Sequence, residues 1–586
     1  MCGASSCVSA SFCSVRFTSY CLWQVLSLHL SDSNTYQTLY KGVLNMVIQP
    51  MRLESPNKLV TDYRAELPSI MGKFDFSPFR QESYATRLEE LEARKFPREA
   101  LVELLHKCNR EWGADQATIH NIDKLADSKT VAVVGGQQAG LFTGPLLTLH
   151  KITSIISLAS EQSKILGTTV IPVFWIAGED HDVEEINHIF LPNRNKLKKF
   201  KWKQHQSEKI AASDIVLDNG LMHDFLKEVI AALPETAYTK DIHSTVSNIM
   251  DQSETFVDFF AKFIHFLYKN TGLVLLDSGD PELRQIERPF FRELISKQQE
   301  ISQGVYGASQ ELQQMGYADV LGAESEDANL FCYIDGERTL LMRDSEGKWR
   351  GKADEAVFTE EELLLIAETA PERLSNNVVT RPLMQDYLLP VLGFIAGPGE
   401  IAYWANLKPG FQAVGFNMPP VMPRLSFTML DSKTEKLLGR YRLSPEKAIA
   451  SGVETEKIHY LAAQQQPPIA VVSEQVKRAM ADLHAPLRHS AASIADDLGS
   501  LAEKNLRHLE EDIDFLVKRM EARIKEQHSV ALSHFDHIQC TLHPENGLQE
   551  RTWSIFSIWN THGVEIWHEL AQKSYDFTTP HHIVTL

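Results

Sequence analysis

The residues able to do chemistry stand where short apolar runs stop. Glu179-Asp180-His181-Asp182 follows Val170-Ile-Pro-Val-Phe-Trp-Ile-Ala177. Carboxylates flanking an imidazole can bind a cation, orient an amine or act as general base. His188 would extend the set towards a metal site, and Asp182 ahead of Glu184 is alternatively a plain helix cap. Gly135-Gly136-Gln137-Gln138-Ala139-Gly140 follows Val131-Ala-Val-Val134 and lets the backbone approach a ligand, N–H groups first. That suits a phosphate or carboxylate at a helix N-terminus, although a tight packing turn would look the same. Thr143-Gly144-Pro145 then opens a helix bearing His150 and Lys151. Either is a surface residue, or Lys151 reaches an anionic group. Asn377, Thr380 and Arg381 add polar contacts. Gly397, Glu400, Tyr403 and Trp404 form a candidate clamp for a small polar ligand, and Arg424 is a candidate anion contact.

These clusters need elements to hold them. The spacing of Leu146, Leu149, Ile152, Ile155, Ile156 and Leu158 predicts a helix with Pro145 at its first position. Strand, Gly-rich turn, helix and strand make one right-handed βαβ unit. A third strand at 272–277, a fourth at 390–396 and a fifth at 420–422 extend it to a doubly wound parallel sheet. Loops leaving neighbouring strands of such a sheet converge, so one pocket is expected to collect the clusters, with Gln138, His181 and Tyr403 in one cleft. Helices are expected over 84–112 and 256–268, and a hairpin around Asp335-Gly336. From 474 to 528, Val476, Met480, Leu483, Leu487, Ile494, Leu498, Leu501, Ile513, Leu516, Met520 and Ile524 recur at helical steps. They predict a long amphipathic helix or antiparallel coiled coil, broken near Pro486. Its seam pairs either with a helix of the same chain, such as 430–465, or with a second copy.

The expected order is an extension at 1–45, disordered or mis-annotated, then a core in three parts (46–190, 256–304, 375–440). Insertions at 191–255 and 305–374 interrupt it. A coiled coil at 441–540 and a C-terminal segment at 541–586 packing on the core complete the chain. With 586 residues, 43% hydrophobic and 23% charged, the composition is that of a soluble globular protein of two or three domains. No run of 18 apolar residues is present, so no membrane span is expected. Net charge −19 disfavours a nucleic-acid partner. The basic run Arg194, Lys196, Lys198, Lys199, Lys201 and Lys203 reads as a solvated loop or edge strand, or as a polyanion contact. Cys2, Cys7, Cys13 and Cys21 crowd the N-terminus, while Cys108, Cys332 and Cys540 are scattered, which predicts a reducing compartment.

Taken together, Gly136-Gln-Gln-Ala-Gly140, Thr143-Gly-Pro145 with His150-Lys151, Phe174–Asp182, Glu185–His188, Asp277-Ser278, Asn377-Val-Val379 with Arg381-Pro382, Gly397–Trp404, Leu407-Lys-Pro409, Pro423-Arg424 and Gln549-Glu-Arg551 resemble the cysteine-adding ligases of bacillithiol biosynthesis. The resemblance runs from about residue 46 to the C-terminus. It implies an α/β fold with a Rossmann-like, nucleotidyltransferase-type core, two connecting insertions and a dimerising C-terminal coiled coil. It further implies addition of L-cysteine to the amine of glucosaminyl malate in the cytoplasm, the last step towards bacillithiol. ATP or ADP with Mg²⁺ is the expected activating system, with no tightly bound metal. Asp180, His181 and Lys151 are then the catalytic candidates. Gly136, Gln137, Gln138, Gly140, Thr143, Gly144, His150, Glu179, Asp182, Asn377, Arg381, Gly397, Glu400, Tyr403, Trp404 and Arg424 are the binding candidates. The chain departs from nucleotidyltransferases in lacking their HxGH motif after the first strand, so adenylyl transfer does not carry over by motif. A non-catalytic accessory or scaffold protein and a nucleotidyltransferase of another substrate are the competing readings.

Overall fold

Apolar runs that alternate with helices give the chain its central sheet of five parallel strands. They are β1 (Val131–Gln137), β2 (Val170–Ile176), β3 (Val274–Asp277), β4 (Val391–Ala396) and β5 (Val421–Pro423), in the order β5-β4-β1-β2-β3. The computed structural model describes residues 46–203, 210–352, 355–466 and 468–586, and the elements here lie in the unit Val47–Leu586. The expected extension at 1–45, with its four cysteines, lies outside the described residues. β2, β3 and β4 are buried along their whole length, as unbroken apolar strands require. In β1–β2 the register runs from Val131↔Val170 to Gln137↔Ile176.

Gly135 and Gly136 belong to β1 rather than to the turn after it. They pair with Phe174 and Trp175. A Cβ on Gly135 would come within 2.9 Å of the Ile155 side chain, and one on Gly136 within 2.9 Å of the Trp175 carbonyl oxygen. Their smallness therefore serves close packing within the sheet. The turn itself is tight: Phe142 (φ 49°) and Thr143 (φ 75°) are left-handed, and a Cβ on Gly140 would lie 2.6 Å from Gly144 Cα. The helix α1 (Leu147–Leu166) starts two residues later than the sequence predicts. Pro145 is instead drawn into a bridge with Ser554, and Leu146 N–H donates to the Trp553 carbonyl, so the C-terminal segment holds this entry.

Between β2 and β3 come a hairpin (His188–Asn193 with Lys196–Lys201), two helices and α2 (Phe256–Leu267). Arg194 and Asn195, both at positive φ, make the hairpin's two-residue turn. The basic run is thus a strand of this small hairpin, with Lys198 and Lys201 facing Glu228 and Glu184. Between β3 and β4, α3 (Pro281–Gln314) leads into a second, antiparallel sheet: Val357–Phe358, Trp349–Gly351, Glu337–Arg343, Asp327–Ile334, Leu374–Asn376. Asp335 (φ 50°) and Gly336 (φ 88°) form its hairpin turn. Strand Leu374–Asn376 then hands over to α4 (Thr380–Leu388).

After β5 the chain leaves the core. Phe427–Leu430 lies parallel to the last strand, His581–Thr585, which is antiparallel to Val47–Met51. A separate apolar cluster around Leu438, Ile449, Phe535 and Ile538 sits beneath that sheet. Above it extend α5 (Ile469–Ile494) and α6 (Asp496–Gln527), an antiparallel pair laced by Lys477–Asp514 and Arg488–Glu503. The reversal falls at Ala495, which is extended (φ −162°, ψ 150°), and not near Pro486, which α5 accommodates in its interior. The intrachain partner of the 496–527 seam is α5, and not the 430–465 region, whose helices pack around Ser529–Leu542. Among the described residues, no helix is long and apolar enough to cross a membrane. Cys108, Cys332 and Cys540 are free and buried.

Candidate active site

The strand order fixes where a site can open. From β1 the chain proceeds through β2 to β3 on one side, while β4 and β5 lie on the other, so β1 and β4 flank the point where connections diverge. A cavity of about 290 Å³ lies there. Gly136, Gln137 and Gln138 come to it from the end of β1, and Trp175 and Ala177 from the end of β2. Leu147 and Lys151 come from α1, Arg381 from α4, and Arg424 from just after β5. The short helix Pro398–Trp404, with Gly397 before it, adds Glu400 and Tyr403, and the C-terminal segment adds Arg551.

Its charge is lopsided. Four cations, Lys151, Arg381, Arg424 and Arg551, face one carboxylate, Glu400, in a chain of net charge −19. Lys151 is fully buried and donates to the Gly136 carbonyl (2.6 Å), Gln137 Oε1 (3.1 Å) and Glu400 (2.5 Å). Burial lowers its pKa, with Arg424 and Arg381 adding to that and Glu400 opposing. Glu400 also accepts the Gly397 N–H at 2.7 Å, which fixes the short helix to the end of β4. Arg381 donates to the Tyr403 hydroxyl at 2.7 Å, and burial pushes that phenol up to about 12. It therefore stays protonated at neutral pH. Arg424 grips Glu550 with two bonds, of 2.8 and 2.5 Å. Glu550 accepts from His150 Nδ1 as well, at 2.7 Å. Burial opposes the charge on Glu550, yet Arg424 and His150 hold its carboxyl well below the ordinary range. His150 itself is lowered by burial.

Nine of the residues singled out from sequence lie on this wall: Gly136, Gln137, Gln138, Lys151, Arg381, Gly397, Glu400, Tyr403 and Arg424. The others do not line it. Gly140, Thr143 and Gly144 shape the strained turn. His150 is sealed beneath, because its helix face is covered by the C-terminal segment. Trp404 is a core residue stacked on Phe394 at 4.4 Å. Asn377 closes the turn that leads into α4, accepting from the Val379 and Thr380 amides. Asp182 precedes the short helix Val183–Ile186 but makes no side-chain cap bond. Asp180 sits just behind the wall, accepting from Gln138 Nε2 at 2.6 Å.

Glu179 and His181 belong to a different centre, on the β2–β3 side. Glu179 accepts from Arg284 at 2.6 Å, and Arg284 also bonds Glu287 at 2.6 Å, all three buried. Arg338, from the second sheet's hairpin, donates to Ser375 Oγ and the Asn376 carbonyl and meets His181 Nδ1 at 3.3 Å. Of the three residues expected in one cleft, Gln138 and Tyr403 line the cavity, whereas His181 stands beside Arg338 and the Phe331 ring. Sequence reasoning missed Trp175, Glu550 and Arg551 as site residues. The stretch Gln549-Glu-Arg551 stood out in the sequence, but nothing local tied it to β5 across the coiled coil.

A Rossmann-like sheet with a cation-rich cavity at its switch point, carrying a helical arm, defines the class of this α/β protein. Comparison with known proteins narrows this. The family profile described as "Bacillithiol biosynthesis BshC, N-terminal Rossmann-like domain" matches residues 46–425, and "Bacillithiol biosynthesis BshC, C-terminal coiled-coil domain" matches 427–586. The chain belongs to the BshC family. A protein of Oceanobacillus iheyensis named "Putative cysteine ligase BshC" is 42% identical over 546 residues, spanning 92% of this chain and all of the relative. Proteins of the same name from Bacillus cytotoxicus and Geobacillus sp. (strain WCH70) are each 38% identical, over 90% and 92% of this chain and 98% and 100% of their own.

Proposed function

We propose that this protein is a cytoplasmic ligase that joins L-cysteine to the amine of glucosaminyl malate, completing bacillithiol. The observation that carries the reading is the cation-rich cavity at the β1–β4 switch point in a member of this family. Glucosaminyl malate brings carboxylates to match Arg381, Arg424 and Arg551, and its amine is the nucleophile. Cysteine's carboxylate is a poor electrophile, and ATP or ADP, when bound, would supply the group that activates it. The amine nitrogen would form the C–N bond as the acyl C–O bond to that group breaks, the leaving group would carry off the electron pair, and the amine would give up a proton.

The chain's own groups divide that work. Lys151, with its donors spent on Gly136, Gln137 and Glu400, is a fixed positive charge rather than a proton carrier. The protonated Tyr403 hydroxyl and the Arg381 fork orient the anion. To Asp180, which accepts from Gln138 Nε2 behind the wall, we assign the role of receiving the amine's proton. A phosphate oxyanion fits the same donors. The one carboxylate of the wall is occupied by Lys151, so Mg²⁺ would be held by the nucleotide's own phosphates. At about 290 Å³ the cavity is at the small end of the roughly 300–1,000 Å³ usual for ligand pockets, suited to one substrate moiety at a time.

The α5–α6 arm supports a homodimer. Leu483 (79% exposed), Ile494 (74%), Phe515, Leu516 and Leu501 remain uncovered in the single chain, an apolar surface that a second copy would bury. The ligase reading is tested by incubating purified protein with L-cysteine, glucosaminyl malate, Mg²⁺ and ATP or ADP and looking for the amide-linked thiol by mass spectrometry. Its absence under reducing conditions with every substrate present would overturn it.

A further inference from the structure

We infer that Arg551 is the cavity's free anion-binding residue, delivered by the turn Gln549–Arg551 that the chain makes on its return from the coiled coil. The four wall cations differ in what already holds them. Lys151 is bound to Glu400, Arg424 to Glu550, and Arg381 to the Tyr403 hydroxyl. The guanidinium of Arg551 is exposed and has no hydrogen-bond or ion-pair partner among the described residues. An entering carboxylate or phosphate would meet Arg551 without breaking a protein pair. Engaging Arg424 first would strand the buried Glu550 carboxylate, and engaging Lys151 first would break its pair with Glu400.

The rest of the turn is built to hold this arginine still. The Gln549 side chain accepts from Met429 N–H (2.8 Å) and donates to the carbonyls of Met429 (3.0 Å) and Thr541 (2.9 Å), all buried. Glu550, the next residue, clamps Arg424 and His150 and so acts as a positioning residue for the wall. Two buried anchors followed by one open cation make a rigid presentation of a single charge. The site is therefore incomplete without the segment beyond the coiled coil, and the helical arm is an insertion between two of its contributors, Arg424 and Arg551.

The choice of glucosaminyl malate as the matching substrate rests on the proposed function, whereas the anion contact does not. The test uses full-length protein, wild type against Arg551→Gln and Arg551→Lys, with Lys129→Gln, at the far end of β1, as a charge control. Binding of L-malate and of ADP is measured by calorimetry, and KM and kcat for glucosaminyl malate by product formation. Arg551→Gln is expected to weaken one probe and raise KM about tenfold with a smaller change in kcat, at unchanged Tm. Lys should restore part of the loss, and Lys129→Gln should match wild type. Loss confined to malate identifies a carboxylate as the partner, and loss confined to ADP a phosphate. Wild-type and Arg551→Gln proteins that bind both probes alike, or a wild type that binds neither, would overturn the inference. A wild type that makes no product yet loses a probe on Arg551→Gln would overturn the substrate reading alone.

Discussion

Two polar centres flank the end of β2, and they are opposites. On the β1–β4 side the charges are in cationic surplus and face a cavity. On the β2–β3 side Glu179, Arg284 and Glu287 are buried and answer one another, with Arg338 laid over the Phe331 ring at 3.8 Å as a cover. In sequence the two look alike, since each is an apolar run ending in polar residues. The difference is topological. At β1–β4 the connections run off in opposite directions and leave a crevice. At β2–β3 Glu179 is closed over by α3 and by the second sheet, through Arg284 and the Asn376 N–H, with Arg338 set against His181. A polar strand end becomes a site only where nothing in the chain covers it.

That contrast is open to attack, the strongest blow first. Arg284→Met removes the cation between two buried carboxylates and is expected to cost about 3–5 kcal/mol of stability, read from urea unfolding. A loss below about 1 kcal/mol would mean that the β2–β3 centre is not the closed ion cluster described. Lys151→Met should instead act on turnover, lowering kcat/KM by about 100-fold, the scale of one lost electrostatic stabiliser. If turnover survives while stability collapses, Lys151 belongs with the closed centre and the contrast fails.

A pH series separates the two further. Burial pushes Asp277 from 3.8 up to about 7, with Gly279 N–H and Ser213 opposing. Its folded pKa exceeds the unfolded one, so the stability it confers is complete below about pH 4 and is lost as pH rises through about 7. Asp277→Asn should raise Tm relative to wild type more at pH 8 than at pH 5, and equal shifts at both would refute a protonated Asp277. The mildest effect is expected from Leu498→Glu with Leu516→Glu on the arm. Sedimentation should show monomers in place of dimers, with each chain still folded, and a wild type already monomeric at micromolar concentration would remove the dimer.

Much of this was legible in the sequence because burial leaves simple marks. Five apolar runs gave five parallel strands, and the 3.6-residue spacing gave α1 and the arm. The misreadings have specific causes. Gly135 and Gly136 look like loop residues, yet the Ile155 and Trp175 contacts demand glycine within the strand. Pro486 looks like a break, while the reversal is set by Ala495, which nothing in its composition marks. His150 and Lys151 are neighbours with equal promise. A helix turns by about 100° per residue, so one points to the cavity and the other to Glu550. Arg551 was hidden because its partners in space lie on the far side of the arm in sequence.

The central claim, that the β1–β4 cavity receives the anionic substrate, meets its most direct test in a crystal structure soaked with glucosaminyl malate. Density for the malate carboxylates is expected against Arg381, Arg424 and Arg551, with the amine near Gln138 and Asp180. Density instead beside Glu179, Arg284 and Arg338, with the β1–β4 cavity holding only solvent, would contradict it.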